Sequence, residues 1–239
     1  MAKATYKPSD PELQEICKLI EDASGRFSKR EIFSDLIELM ACTIAKESDS
    51  YRNKEREKIY QQIIKKHGED DPNSTHYMGR IQFHIMNTIL KARESKDIMD
   101  VFGPLYSAMN MDGHLGQFFT PWHISHVMAR MLFSKEEFEQ RGYQTLCEPT
   151  CGAGGMILAA AQVLNEFGYD YKEKLIVQAS DIDNNCAMMC YIQCSLYQIP
   201  AVILCMNALE DPNGDNARDI WTTPVFFQMG WPKKLGLTA

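Results

Sequence analysis

Apolar positions from about Pro11 to Met109 recur at spacings of three and four, the period of a helix face. Four helices follow: ELQEICKLIEDA, SKREIFSDLIELMACTIAK, REKIYQQIIKKHG and HYMGRIQFHIMNTILKARE. The second opens on a Ser28/Glu31 capping box. No strand pattern interrupts them. From Tyr143 the pattern changes to short apolar runs alternating with helical ones: TLCEP, MILAAAQVLNEF, LIVQASD, NNCAMMCYIQCSLYQ and AVILCM. Strand, helix, strand, helix, strand is the signature of a parallel α/β sheet. The break lies in the glycine-containing MNMDGHLG, so the chain divides into a helical segment, residues 1–110, and an α/β segment, residues 111–239.

Between the two lies GQFFTP, residues 116–121. Thr120 before Pro121 marks a helix start, with the hydroxyl as cap and the proline at the first helical position. Ile124, Val127, Met128, Met131 and Leu132 then share one face, so WHISHVMARMLF is expected to be an amphipathic helix with that face buried. Phe118 and Phe119 stand just before it; taken alone, such a pair is ordinary core.

The densest chemical signal is CEPTCGAGG, residues 147–155, between a strand and an Ala-rich helix. Gly152 and Gly154 let backbone approach a ligand, and the following helix start offers unpaired N–H groups. No Lys-Ser/Thr follows, so this is not a phosphate loop. Ile157 breaks the GxGxxG pattern. Glu148, at the end of its strand, repels a pyrophosphate and attracts a cation. Asp181, at the end of the next strand, suits the two hydroxyls of a ribose. A ribose-bearing, cationic, phosphate-free cofactor describes S-adenosylmethionine (SAM).

Composition narrows the setting. The chain has 239 residues, 45% of them hydrophobic, enough for one large domain or two small ones. No apolar stretch is long enough to cross a membrane, and the eight cysteines form no CxxC pair, so a cytoplasmic protein with free thiols is expected. A net charge of -7 opposes unaided binding to a polyanion; a nucleic-acid role calls for a local basic patch or a partner.

Three further patterns have structural readings. His123 and His126 lack a third ligand and are not expected to hold a metal. Cys186, Cys190 and Cys194 form a stripe expected to face the sheet as small apolar residues. RNKEREK mixes both charges and is expected to be a solvated face.

GQFFTP, then CEPTCGAGG, then ASDID together resemble the N6-adenine DNA methyltransferases, in particular the modification subunit of type I restriction-modification systems. DVFGPLYSAM, residues 100–109, resembles the family's link between its helical and methyltransferase domains. The resemblance implies a Rossmann-like SAM-dependent methyltransferase fold, α/β in class, preceded by an all-helical domain. It implies that Phe118, Phe119, Thr120 and Pro121 wall the methionine end of SAM, that Glu148, Thr150, Gly152 and Gly154 form the loop beneath, and that Asp181 holds the ribose. Asn207 stands where the family usually has an aspartate that accepts from the cofactor's adenine. The implied partners are DNA and a specificity subunit or a second copy.

The sequence departs from the family at the catalytic motif, Asn-Pro-Pro followed by Tyr or Phe, which hydrogen-bonds and stacks on a flipped-out base. The nearest counterpart is TPVF, residues 223–226, where the resemblance implies that Thr223 would accept a hydrogen bond and Phe226 would stack, with Pro224 as the motif's first proline and Val225 in place of the second. The sheet is expected to be a truncated parallel one. Two functions stay open: adenine-N6 methylation of DNA, or a SAM-binding module without transfer activity that regulates or blocks a restriction-modification complex.

Overall fold

Capping chemistry sets the first helices. In the computed structural model, which describes residues 8–46, 48, 52–69, 76–109, 119–135 and 142–237, α1 (Pro11–Ala23) begins at Asp10, whose carboxylate accepts the N–H groups of Glu12 and Leu13. The capping box of Ser28 and Glu31 opens α2 (Lys29–Ala45). Helix α3 (Asn53–His67) ends on Gly68 in the left-handed region. Then follow α4 (Tyr77–Glu94) and α5 (Phe102–Ala108). Their apolar stripes meet one another: Ile16, Ile20, Ile32, Leu36, Ile81, Ile85 and Ile89 are all fully buried.

The sheet has the order β1-β2-β3-β4. Strands β1 (Gln144–Glu148), β2 (Leu175–Asp181) and β3 (Ala201–Cys205) are parallel, as the alternation predicts. Their crossovers contain α7 (Gly155–Phe167), the single turn α8 (Tyr171–Lys174) and α9 (Asn184–Leu196). Strand β4 (Asp219–Thr222) was not expected, and it runs antiparallel to β3, with Val202 opposite Thr222 and Cys205 opposite Asp219. The connection from Met206 to Arg218 contains turns and no helix, so the chain reverses instead of crossing over. Two short helices, α10 (Pro224–Gln228) and α11 (Trp231–Lys234), end the described fold.

The two expected segments share one continuous core. The division at residues 110 and 111 itself lies outside the described residues. Across it, Ser34 bonds Asn185, Arg93 donates to the Leu196 carbonyl, and Ile98 N–H donates to Gln162. RNKEREK is not wholly a solvated face. Arg56 within it is 4% exposed, lies 3.8 Å from the centre of the Trp221 ring and donates to the Ile220 carbonyl, while Arg52 pairs with Asp219. The planar guanidinium stacks on the indole and still reaches backbone oxygen, which ties α3 to β4. The cysteine stripe is buried as expected.

Helix α6 (Trp122–Leu132) corrects another expectation. It starts one residue later than Thr120–Pro121 suggests, with Pro121 at the cap position. It also turns the opposite way. Ser125 and Ala129 are its buried residues, whereas Ile124, Val127, Met128, Met131 and Leu132 are 44–82% exposed. Small side chains let α6 approach α7 closely, and His126 and Arg130 clamp Glu166 of α7 at 2.7 and 2.6 Å. Among the described residues, no helix is long and apolar enough to cross a membrane.

Candidate functional site

The loop after β1 is held by backbone bonds to β2 and by one carboxylate. Cys151 N–H donates to the Ser180 carbonyl at 2.8 Å, and the Ser180 hydroxyl donates to the Pro149 carbonyl at 3.0 Å. Gly152 N–H donates to Asp181 Oδ2 at 2.9 Å, while Asp181 Oδ1 accepts from Asp183 N–H. Burial pushes the Asp181 carboxyl above the usual carboxylate range, against the pull of these bonds.

Gly152 and Gly154 both have positive φ, +52° and +98°. Each also faces a close neighbour. A Cβ on Gly152 would lie 2.8 Å from Phe119 Cδ1, and one on Gly154 would lie 3.2 Å from Cys190 Sγ. The Phe119 ring therefore seats on the loop backbone itself, with Tyr106 edge-on at 5.0 Å behind it. That is the use of an aromatic residue at the entrance to α6.

Beside this contact opens a cavity of about 250 Å³. Of the residues expected to bind cofactor, it brings together Phe119, Thr120, Glu148, Thr150 and Gly152. Glu148 accepts from Thr150 N–H at 3.3 Å, which shapes the loop's first turn. Gly154 and Asp181 are not on the cavity wall. Gly154 packs under the loop, and Asp181 braces it from β2. Pro121 caps α6 and is exposed. Asn207 lies just beyond β3, where its side-chain oxygen accepts from Leu209 N–H at 3.1 Å. Phe118 lies outside the described residues.

The structure does not bring TPVF to this cavity. Thr223 is completely buried, accepts from Ala201 N–H at 2.9 Å and donates to the Ile199 carbonyl at 3.0 Å. Ala201 begins β3, whereas the loop sits against the last residues of β1 and β2; the length of a five-residue strand, about 13 Å, separates the two ends. Pro224 begins α10, and Phe226 packs with Trp231 and Ile176 under the opposite end of the sheet. The antiparallel β4 is the cause. A strand run in this direction delivers the residues that follow it to the wrong end for the role expected of Thr223, Pro224 and Phe226.

Two polar residues that the sequence did not single out line the cavity, Asp100 and Ser125. Asp100 is 7% exposed, and its Oδ1 accepts from Gly103 N–H at 3.0 Å and from Gln193 Nε2 at 2.9 Å. Gln193 also donates to the Ala153 carbonyl at 2.7 Å and accepts from Val101 N–H, so it links the α5 entrance to the glycine loop. The available signal was a lone aspartate in an apolar run, three residues before a glycine. A Cβ on Gly103 would lie 2.2 Å from Asp100 Oδ2, so a side chain there would force the carboxylate out of its place.

These residues fit a SAM-like ligand. The cavity is walled by an aromatic ring, floored by glycine backbone and fringed with acceptors, and a buried Ser125 hydroxyl in it has no partner among the described residues. Residues 94–235 match the family model of the N-6 DNA methylases. No curated protein matches the chain. Among solved structures, the chain is similar to a Listeria monocytogenes protein described as a class I S-adenosylmethionine-dependent methyltransferase, at 12% identity and a TM-score of 0.43, over 83% of this chain and 54% of that one. It is also similar to the methyltransferase subunit of a type I restriction-modification system from Streptococcus thermophilus, at 12% identity and a TM-score of 0.36, over 87% of this chain and 59% of that one. The chain thus spans little more than half the length of each.

Proposed function

The chain belongs to the N-6 DNA methylase family, and from that premise we propose that it forms the cofactor-binding part of a DNA adenine-N6 methyltransferase of the restriction-modification type. The observation that carries this reading is the seating of Phe119 on Gly152, which joins the GQFFTP and CEPTCGAGG segments into one cavity wall. In this reading Phe119 and Thr120 wall the methionine end of SAM, and Glu148, Thr150 and Gly152 form the loop beneath it, with Gly154 packed under that loop. Asp181 offers the remaining lone pairs of its two oxygens to the ribose hydroxyls while it braces Gly152. Asn207 accepts from the adenine amino group. SAM supplies an electrophilic methyl group; the residues here hold and orient it and exclude water, so their contribution is proximity. DNA is the substrate, and a specificity subunit or second copy supplies the recognition that a chain of net charge -7 does not favour by itself.

A second reading is favoured by one specific observation. The Thr223 hydroxyl is consumed by backbone partners at the far end of the sheet, so the described residues offer no counterpart of the Asn-Pro-Pro acceptor beside the cavity. A module that binds SAM without transferring its methyl group accommodates this directly. Calorimetry with SAM, followed by tritiated methyl transfer to unmethylated DNA with and without a candidate specificity subunit, separates the two. Micromolar binding with transfer supports the enzyme, binding without transfer supports the module, and no binding by folded protein sinks both.

A further inference from the structure

A buried carboxylate normally has a cation beside it, since moving an uncompensated charge out of water is costly. Asp100 has none. Its recorded partners are N–H donors from Gly103, Phe102 and Gln193, and no Lys, Arg or His among the described residues perturbs it. Burial accordingly holds its carboxyl above the usual range. The oxygen not engaged by Gly103 and Gln193, Oδ2, faces the cavity: it lies 3.5 Å from the point that a Cβ on Gly155 would occupy.

Two more acceptors converge on that same point. Ser125 Oγ lies 3.8 Å from it and the Thr120 carbonyl oxygen 4.0 Å. The serine is fully buried and its hydroxyl has no partner among the described residues. An orphaned buried hydroxyl is costly unless something enters to satisfy it. A carboxylate, a hydroxyl and a carbonyl around one small space match a primary ammonium, which carries one positive charge and three N–H donors. A sulfonium, having no N–H, would leave them unsatisfied. Beside them starts α7, whose N-terminus has no side-chain cap and whose Gly155 and Met156 line the cavity, a setting that suits a carboxylate. An ammonium and a carboxylate a few ångströms apart make an α-amino acid.

We propose that Asp100, Ser125 and the Thr120 carbonyl form the α-ammonium subsite for the amino-acid end of the cofactor, with Asp100 its counter-ion. The proposal rests on the SAM-binding reading above and assigns specificity within it. Asp100 selects ligands that carry the amino acid, and the DVFG segment thereby becomes part of the binding site.

The test compares two ligands by calorimetry: S-adenosylhomocysteine, which has the α-amino acid without the sulfonium charge, and its analogue lacking only the α-amino group. Wild type is expected to prefer the first by about ten- to a hundredfold, the range of a charge-assisted hydrogen-bonded contact. Asp100→Asn is expected to lose most of that preference while binding the deaminated analogue as wild type does. Ser125→Ala is expected to lose a smaller part of it, and serves alone if Asp100→Asn does not fold. If the variants weaken both ligands equally, Asp100 and Ser125 only support the loop and the subsite is overturned. A wild type that binds both ligands equally also overturns it, leaving cofactor binding intact. If folded wild type binds neither, the SAM-binding reading falls and the subsite with it.

Discussion

The ring of Phe119 occupies the space that a side chain on Gly152 would need, at 2.8 and 2.9 Å from its two nearest carbons. This contact makes one wall from two separated segments. It also makes the glycine obligatory twice, once for its positive φ and once for the ring. Gly152→Ala is therefore expected to destabilise the protein by at least the left-handed penalty of about 1–2 kcal/mol, and to weaken SAM binding. Combining it with Phe119→Ala should return the steric part and not the backbone part. Urea unfolding of the single and double variants checks this; full recovery would show that φ carries no strain here.

Asp100 gives a pH dependence with a definite sign. Its folded carboxyl is raised by burial above the ordinary value of 3.8, so its favourable contribution is complete below 3.8 and is lost as pH rises through the raised value. Without ligand, Asp100→Asn is expected to be more stable than wild type at neutral pH, with the gap closing as pH falls toward 3.8. Denaturant unfolding across that range reads it directly. A gap that widens on acidification would mean that the carboxylate form is the stabilised one.

Thr223 is expected to matter for stability and not for cofactor binding. Thr223→Val removes a buried hydroxyl that serves Ala201 N–H and the Ile199 carbonyl, at a cost of about 1–3 kcal/mol. Thr223→Asn, which would bring the tetrapeptide closer to Asn-Pro-Pro-Phe, must place a larger amide at a site with no exposure, and is expected to destabilise without creating methyl transfer. Calorimetry showing that Thr223→Val abolishes SAM binding in folded protein would contradict this placement.

Arg56 joins α3 to β4 through the Trp221 ring and the Ile220 carbonyl. Arg56→Ala is expected to cost about 1–3 kcal/mol, because it removes the packing on Trp221 and the bond to the Ile220 carbonyl while Arg52 still pairs with Asp219. Arg56→Lys should recover less than half, as an ammonium cannot stack and bond at once. Thermal unfolding of the two variants measures the difference.

Much of this molecule could be read before any coordinates. Periods of three and four placed α1 to α4, and apolar runs separated by helices placed β1 to β3, because these patterns depend on neighbours along the chain. The loop CEPTCGAGG was legible for the same reason: glycines at fixed offsets after a strand have one main use. Helix α6 marks where local pattern stopped. Its apolar stripe was visible, but a period says only that a helix has two faces, and the small residues Ser125 and Ala129 decided which one met α7.

The direction of β4 was equally out of reach. Whether four residues pair parallel or antiparallel with β3 depends on whether the preceding connection crosses the sheet, and that choice alone carried Thr223, Pro224 and Phe226 to the far end. Asp100 was hidden for a third reason. Its chemistry comes from what does not surround it, and the lack of a cation among the described residues beside this buried carboxylate shows only once Gln193, Ser125 and Gly155 have been brought to it from distant parts of the chain. Sequence determined α1 to α4, β1 to β3 and the glycine loop, which obey local sterics; tertiary structure decided where β4 forms, which face is buried, which strand end holds the chemistry and which charge is left for a ligand, because each of these is a balance between residues far apart in the chain.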